Sequence, residues 1–392
     1  MLLTLNASCL RSQLVPASGA SAPAIQLSDL PQFTREVLGL GGLNLSTDLL
    51  VGADRRKLES LRERADRAGC PCLLLVEAEA QKLGSPDAQV AEAAIARMLR
   101  VIEAAQILSC TAAALRIQAD DTDEALQLVW PRLRKIVDRA ERLELNLLVT
   151  PMKGLTARAD RVTDMIKKVG GFRIGTLPDF QFAFESTGSI DGAVTFLRRI
   201  TPYASVVLAS TMDFTDPVPG NAALPPKAPA RKPKAEDEED EELLEAPKKK
   251  AGSALPPAED EEEAPKKKGA KGAKAAEPPK GKGKAKAKAE EPPPPAAAAD
   301  DEEDEMEDLD DASLEDLIAD IFKGEGEEPP APQEPLPVHK NYDLFKMVHA
   351  VASVGFDSTI AVDYRGGGDV TLGIRKSQRV LRAALDHAAA SA

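Results

Sequence analysis

Short apolar runs separated by helical patterns decide what this chain can fold into. The runs begin near residues 2, 43, 72, 112, 145, 172 and 205, at steps of 27 to 41 residues. They are continuous rather than alternating, as strands buried on both faces of a parallel sheet must be. Between them, apolar residues recur at helical spacing. Leu58, Leu61, Ala65 and Ala68 make one such stripe, and Gly69 follows as a stop. Ile95, Met98, Leu99 and Ile102 make a second, with Ser85-Pro86 expected as its cap and first turn. Val162, Met165, Ile166 and Val169 end at Gly170-Gly171, and Leu344, Met347, Val348 and Val351 end at Gly355. A glycine after a helix and then a strand is the usual αβ turn.

An eighth run, "TIAVDY", begins at 359, after a step of 154 residues. Removing the 123 residues of 216–338 reduces that step to 31, an ordinary value. Eight such units predict an α/β fold of one kind, a closed (β/α)8 TIM barrel of about 270 residues. The predicted division is a first barrel part at 1–215, an insertion at 216–338 and a last barrel part at 339–392. The insertion falls between strand seven and helix seven. Loops of that kind form the catalytic face of a barrel, so the insertion should spring from the mouth or beside it.

The insertion is low-complexity. Residues 221–340 carry 19 Lys+Arg against 33 Asp+Glu, so this one segment holds the whole formal charge of −14. The rest of the chain is balanced, and the global charge says nothing about its folded part. "EAPKKK" occurs at 245–250 and again at 263–268, acidic runs lie at 236–245, 259–263 and 300–311, and a Lys-rich stretch spans 266–289. A polyampholyte with many prolines and few apolar residues cannot bury enough surface to order itself, and disorder is the expectation. The Lys-rich stretch, with ten lysines and no aromatics, could touch a nucleic-acid backbone without sequence preference. Flanking acids can neutralise it instead, so nucleic acid is not the expected partner. Inside the insertion, "DASLEDLIADIF" places Leu314, Leu317, Ile318, Ile321 and Phe322 on one face of a short helix at 312–323. Ser313 suits its N-cap. Such a helix docks on a partner's groove or on its own barrel, or forms only transiently.

The four cysteines, at 9, 70, 72 and 110, lack the spacing of a redox or zinc motif, and read as idle thiols of a reducing, cytoplasmic compartment. No stretch approaches the ~20 apolar residues of a membrane span. "MLLTLNASCL" lacks a basic n-region and reads as a first core strand rather than a secretory leader.

The strand ends give the candidate site. They offer Asn6 and Ser8; Asn44, Ser46 and Asp48; Glu77 and Glu79; Arg116, Gln118 and Asp120; Thr150 and Lys153; Asp179; Ser210 and Asp213; and Asp363, Tyr364 and Arg365. A polar ring over an apolar barrel is a binding site by default. Asp48, Asp120 and Asp213 read as helix caps or solvated loop residues rather than site groups. The three histidines, at 339, 349 and 387, end no strand, which argues against histidine chemistry at the mouth.

Four stretches carry a resemblance: "FTREVLGLGGLNLSTDLLVG" (33–52), "GTLPDF" (175–180), "ITPYASVVLASTMDF" (200–214) and "VGFDSTIAVDYRGGGD" (354–369). Through them the chain resembles the xylose isomerase-like barrels, the sugar and sugar phosphate isomerases and epimerases. The resemblance implies one divalent metal on carboxylates and a histidine, polarising a sugar's oxygens while carboxylates move the proton. Carried over by position, that set is depleted here. The strand-five glutamate falls at Thr150, a nearby histidine at Met152 and the strand-seven histidine at Leu208. The strand-six aspartate is kept as Asp179, and the strand-eight glutamate is shortened to Asp363.

Two options follow for the cofactor. Asp179 and Asp363, with Glu77 as a third ligand, hold Mg²⁺ or Mn²⁺ weakly, or no metal binds and the carboxylates act as an acid–base pair. Arg116, Lys153 and Tyr364 are the expected substrate-binding residues. The resemblance thus implies an atypical isomerase or epimerase on a sugar-like small molecule. The alternative is a pseudoenzyme, a degenerate barrel that serves as a scaffold and recruits a protein partner through the helix at 312–323.

Overall fold

The computed structural model describes residues 1–16, 22–216 and 335–391. Eight strands make one parallel sheet: β1 (Leu2–Asn6), β2 (Leu43–Ser46), β3 (Cys72–Gln81), β4 (Ala112–Ile117), β5 (Asn146–Thr150), β6 (Ile174–Thr176), β7 (Val206–Thr211) and β8 (Thr359–Tyr364). Their order is β6-β5-β4-β3-β2-β1-β8-β7, so β8 enters between β1 and β7 as the last strand of a barrel does. The two edges meet through isolated parallel bridges, Thr176 with Ala204 and Asp179 with Leu208. The Leu208 amide donates to the Pro178 carbonyl at 2.8 Å. A full ladder does not form there, because β6 is three residues long and Pro178 has no amide to donate. The predicted TIM barrel is therefore the observed fold.

The covering helices are α1 (Arg55–Arg67), α2 (Ala88–Ile107), α3 (Asp123–Arg142), α4 (Ala159–Val169), α5 (Phe180–Thr187), α6 (Ile190–Ile200), α7 (Leu344–Ala352) and α8 (Val370–Ser391). Their starts follow sequence chemistry. Asp54, Thr122, Ser189 and Asp343 each accept an amide hydrogen bond from the first turn of the helix that follows. The α2 cap is Asp87, whose carboxylate accepts from the Gln89 amide at 2.8 Å. Ser85, expected in that role, instead accepts from the Asp87 amide and shapes the turn before the helix. The helices are not spread one to a crossover. Among its described residues the β1–β2 crossover holds only short helical turns, among them Leu27–Asp29 and Leu30–Gln32, where Pro31 occupies the first turn. The β6–β7 crossover holds both α5 and α6. Phe172, expected inside strand six, lies fully exposed in the turn before it, where its amide donates to Glu141.

Two apolar layers result. The outer one, between sheet and helices, takes the outward residues of each strand, such as Leu5, Leu45, Leu75, Leu115, Leu147, Val207 and Val362. The inner one fills the barrel with Leu74, Leu148, Leu177 and Leu208 set against the small residues Ala112, Ala114 and Ala361. Large and small side chains alternate, as a narrow barrel requires. Toward the strand C-termini the inward residues turn polar, which places the mouth above a dry floor.

Past β7 the chain pairs with itself. Phe214–Thr215 and Val338–His339 form a two-stranded antiparallel ribbon, and the Lys340 amide donates to the Asp213 carbonyl. The entry to and exit from the long β7–α7 connection are thereby held side by side. Residues 217–334, including the helix expected at 312–323 with Leu314, Leu317, Ile318, Ile321 and Phe322, lie outside the described residues. Among the described residues, no helix is long and apolar enough to cross a membrane.

Candidate functional site

A cavity of about 1560 Å³ opens at the C-terminal ends of the strands. Asn6, Ser46, Arg116, Thr150, Asp179 and Asp363 all line it. Register explains their convergence. Arg116 sits opposite Thr150 across β4–β5, and Asp363 sits opposite Ser210 across β8–β7. Inward residues recur every second position, so the polar layer sits directly above Ala114, Leu148 and Ala361.

Its centre is an arginine held between two buried aspartates. One Arg365 nitrogen, Nη2, lies 2.6 Å from Asp179 Oδ2 and 2.5 Å from Asp363 Oδ2. Nε donates to the same Asp363 oxygen at 2.8 Å, and Nη1 to Gln181 at 3.0 Å. The outer carboxylate oxygens have their own donors. Asp179 Oδ1 accepts from Ser210 Oγ at 2.6 Å and from the Phe182 amide at 3.1 Å. Asp363 Oδ1 accepts from the Cys9 thiol at 3.4 Å. Asp179 is thus also the N-cap of α5. Retention of "LPDF" therefore has a structural reason besides any chemical one.

The charges are strongly coupled. Burial pushes the Asp363 carboxyl above its ordinary value. Arg365 opposes that shift, and the Asp179 charge adds to it. Burial would lower the Arg365 pKa, but the two aspartates outweigh it and keep the guanidinium firmly protonated. Burial, and then the Asp363 charge, raises the Cys9 thiol well above its usual range. Cys9 is therefore a neutral donor to Asp363, and its sulfur accepts the Tyr364 amide at 3.1 Å. Its role departs from the idle thiol expected. Cys70, Cys72 and Cys110 are buried and unpaired, as expected.

The other expected residues fall elsewhere. Glu77 is fully buried, but its carboxylate faces Arg97 of α2, with Nε at 2.8 Å and Nη2 at 3.4 Å, and also accepts the Glu79 amide. A bulge in β3 past Val76 turns it toward the helix layer. It lines the cavity wall but is committed to this partner. Arg116 donates to the Ala78 carbonyl and is tied into the same bulge. Lys153 is exposed at the rim and has no hydrogen bond or ion pair among the described residues. Tyr364 points outward into the core, with 7% of its surface exposed. Its hydroxyl donates to the Gly367 carbonyl at 2.7 Å, and a Cβ on Gly366 or Gly373 would collide with it. Its place in the Gly-rich turn is structural, although its edge lines the cavity. Asp48 pairs with Arg11 at the cavity wall, and Asp213 accepts the Gly367 amide, rather than capping helices or lying solvated in loops. The Thr150 hydroxyl and one Asn44 oxygen are buried without a partner among the described residues. Leu208, where a family histidine would stand, is buried beside Asp179.

The donor set does not fit the divalent metal that the resemblance implies. Among the described residues no group of three or more His, Cys, Asp and Glu side chains is placed to hold a metal ion. Both Asp179 and Asp363 have their oxygens occupied by protein donors, and Glu77 belongs to Arg97.

The family model of the xylose isomerase-like TIM barrels matches residues 37–201. The fold is a TIM barrel, and over this part the chain is similar to the xylose isomerase-like family. No curated protein matches the sequence. Among solved structures, this barrel is similar to an L-ribulose 3-epimerase, with a TM-score of 0.57 and 10% identity over 99% of this chain and 95% of that one. It is also similar to a xylose isomerase-like barrel protein from Mycobacterium smegmatis in complex with magnesium. That match has a TM-score of 0.53 and 11% identity over 100% and 98% of the two chains. At these identities the likeness concerns the fold.

Proposed function

We propose that the barrel mouth takes a sugar-like polyol and moves a proton beside its carbonyl, as an isomerase or epimerase does. The buried Asp179–Arg365–Asp363 cluster under a wide cavity with a polar ring carries this reading. A carboxylate whose pKa is raised by burial is a better base near neutral pH than a solvated one. Asp363 would take the proton from the carbon next to the carbonyl. The C–H electrons form the C=C bond, and the carbonyl oxygen takes up negative charge. The adjacent Arg365 guanidinium is placed to stabilise that oxygen. Return of the proton to the former carbonyl carbon, with the hydroxyl proton passing from the neighbouring oxygen to the oxyanion, gives an isomer, and a proton delivered by water to the opposite face of the original carbon gives an epimer. Polar rim groups such as Asn6, Ser46, Gln181 and Lys153 would hold the hydroxyls. No step passes through a metal. Cytoplasmic residence, which four unpaired thiols suit, belongs to the same proposal.

A second reading has its own support. All four carboxylate oxygens of the pair already have donors, which is how a structural cluster is built. In that reading the barrel is a scaffold, and 312–323 recruits a protein partner. Incubation with a panel of ketopentoses and ketohexoses, followed by product chromatography, separates the two. The enzyme reading predicts a new sugar with wild type and none with Asp363→Asn. If no sugar is converted, and Leu317→Asp alone abolishes capture of a protein partner, the scaffold reading holds.

A further inference from the structure

We infer that Arg365 is the resident cation of the mouth: its guanidinium fills the place between Asp179 and Asp363 that a divalent ion would otherwise take, and so keeps such ions out of the pair. Two facing carboxylates in a buried site stay ionised together only with a positive charge between them. A single nitrogen supplies it here, 2.5 and 2.6 Å from one oxygen of each. A bound Mg²⁺ would sit about 2.0–2.1 Å from the same oxygens, so the space differs little and the two cations are mutually exclusive.

The arginine is built in rather than resting there. It lies two residues after Asp363, and its backbone amide donates to the Thr211 carbonyl at 2.7 Å. Its planar fork is spread over three acceptors, Asp179, Asp363 and Gln181. A lysine, with its point charge, would not reproduce that fork. The positions that lack a metal ligand are consistent with this arrangement. Thr150 and Leu208 bring no charge to the ring, so the pair's charge is met by one side chain. Whether the barrel converts a sugar does not enter into the inference.

The test counts Mn²⁺ sites on the full-length protein by electron paramagnetic resonance of free Mn²⁺. The acidic runs at 236–245, 259–263 and 300–311 give a weak background common to every variant. Wild type and Asp179→Asn/Asp363→Asn should give superimposable curves. Arg365→Ala, shown folded by circular dichroism, should gain one site at least tenfold tighter than the background. Arg365→Ala/Asp179→Asn/Asp363→Asn should lose that site. Arg365→Gln serves if the alanine variant does not fold. A wild-type site that disappears in Asp179→Asn/Asp363→Asn would overturn the inference, because the pair would then hold a metal with the arginine in place. A folded Arg365 variant that gains no site would overturn it as well, and the wild-type comparison decides even if neither variant folds.

Discussion

Replacing Arg365 with methionine removes the charge and keeps much of the side-chain volume. It leaves Asp179 and Asp363, with 6% and 3% of their surfaces exposed, facing each other unpaired. Breaking a buried pair by removing one partner costs about 3–5 kcal/mol. The Arg365 side chain is 36% exposed, so the lower end, about 3 kcal/mol, applies at pH 7.5. The loss depends on pH in a defined direction. Asp363 already has a raised pKa from burial and the Asp179 charge, and without the guanidinium it rises further. A carboxyl raised in the native state holds a proton that the unfolded chain has released. Its native form is therefore favoured below the raised pKa and loses ground as pH rises through it. Lowering the pH from 7.5 to 5.5 should therefore return part of the lost stability to the variant relative to wild type. Urea unfolding at the two pH values, followed by circular dichroism, measures both. A loss below about 1 kcal/mol at pH 7.5, or the same loss at both pH values, would refute the account of Arg365 as the charge that holds the pair.

Other outcomes follow from single contacts. Gly154→Ala should destabilise by roughly 2 kcal/mol or more, because Gly154 has φ +99° and a Cβ would overlap the Ala119 carbonyl; thermal unfolding checks it. Tyr364→Phe should cost about 1 kcal/mol of stability through its bond to Gly367 and leave ligand affinity in the mouth unchanged, read by denaturation and calorimetry. Burial lowers the His339 pKa, against smaller opposing effects of Tyr342 and Asp213. The native state therefore resists a proton that the unfolded chain accepts, and stability should fall as pH drops below about 6.5. His339→Gln should flatten that fall in denaturation curves at pH 5.5 and 7.5.

The barrel was legible because its signal is repeated eight times. Apolar runs at regular steps survive local misreadings, and a misplaced boundary such as Phe172 or Ser85 moves no strand. The polar ring was legible too, since the inward parity of a strand puts Arg116, Thr150, Asp179 and Asp363 on one side. The partners of those residues were not. Glu77 looked like a third ligand because it ends a strand; only the bulge past Val76 and a helix twenty residues later reveal Arg97 as its partner. Tyr364 and Asp363 are adjacent, so once Asp363 faces the mouth Tyr364 must face the core, which taking both as mouth residues overlooks. Cys9 and Asp363 are 354 positions apart, and nothing local announces their bond. For Arg365 there was a usable signal. A ring that keeps two acids and lacks every histidine must find its positive charge elsewhere, and the arginine two residues after Asp363 is the nearest source.

We propose that the mouth removes a proton from a sugar with Asp363 and Arg365 and without a bound metal. Deuterium uptake at carbon, followed by NMR on ketoses incubated in D₂O with a chelator present, tests it most directly. Uptake by wild type in chelator, lost in Asp363→Asn, is the predicted result. Uptake that appears only when Mg²⁺ or Mn²⁺ is restored, or that persists unchanged in Asp363→Asn, would contradict it.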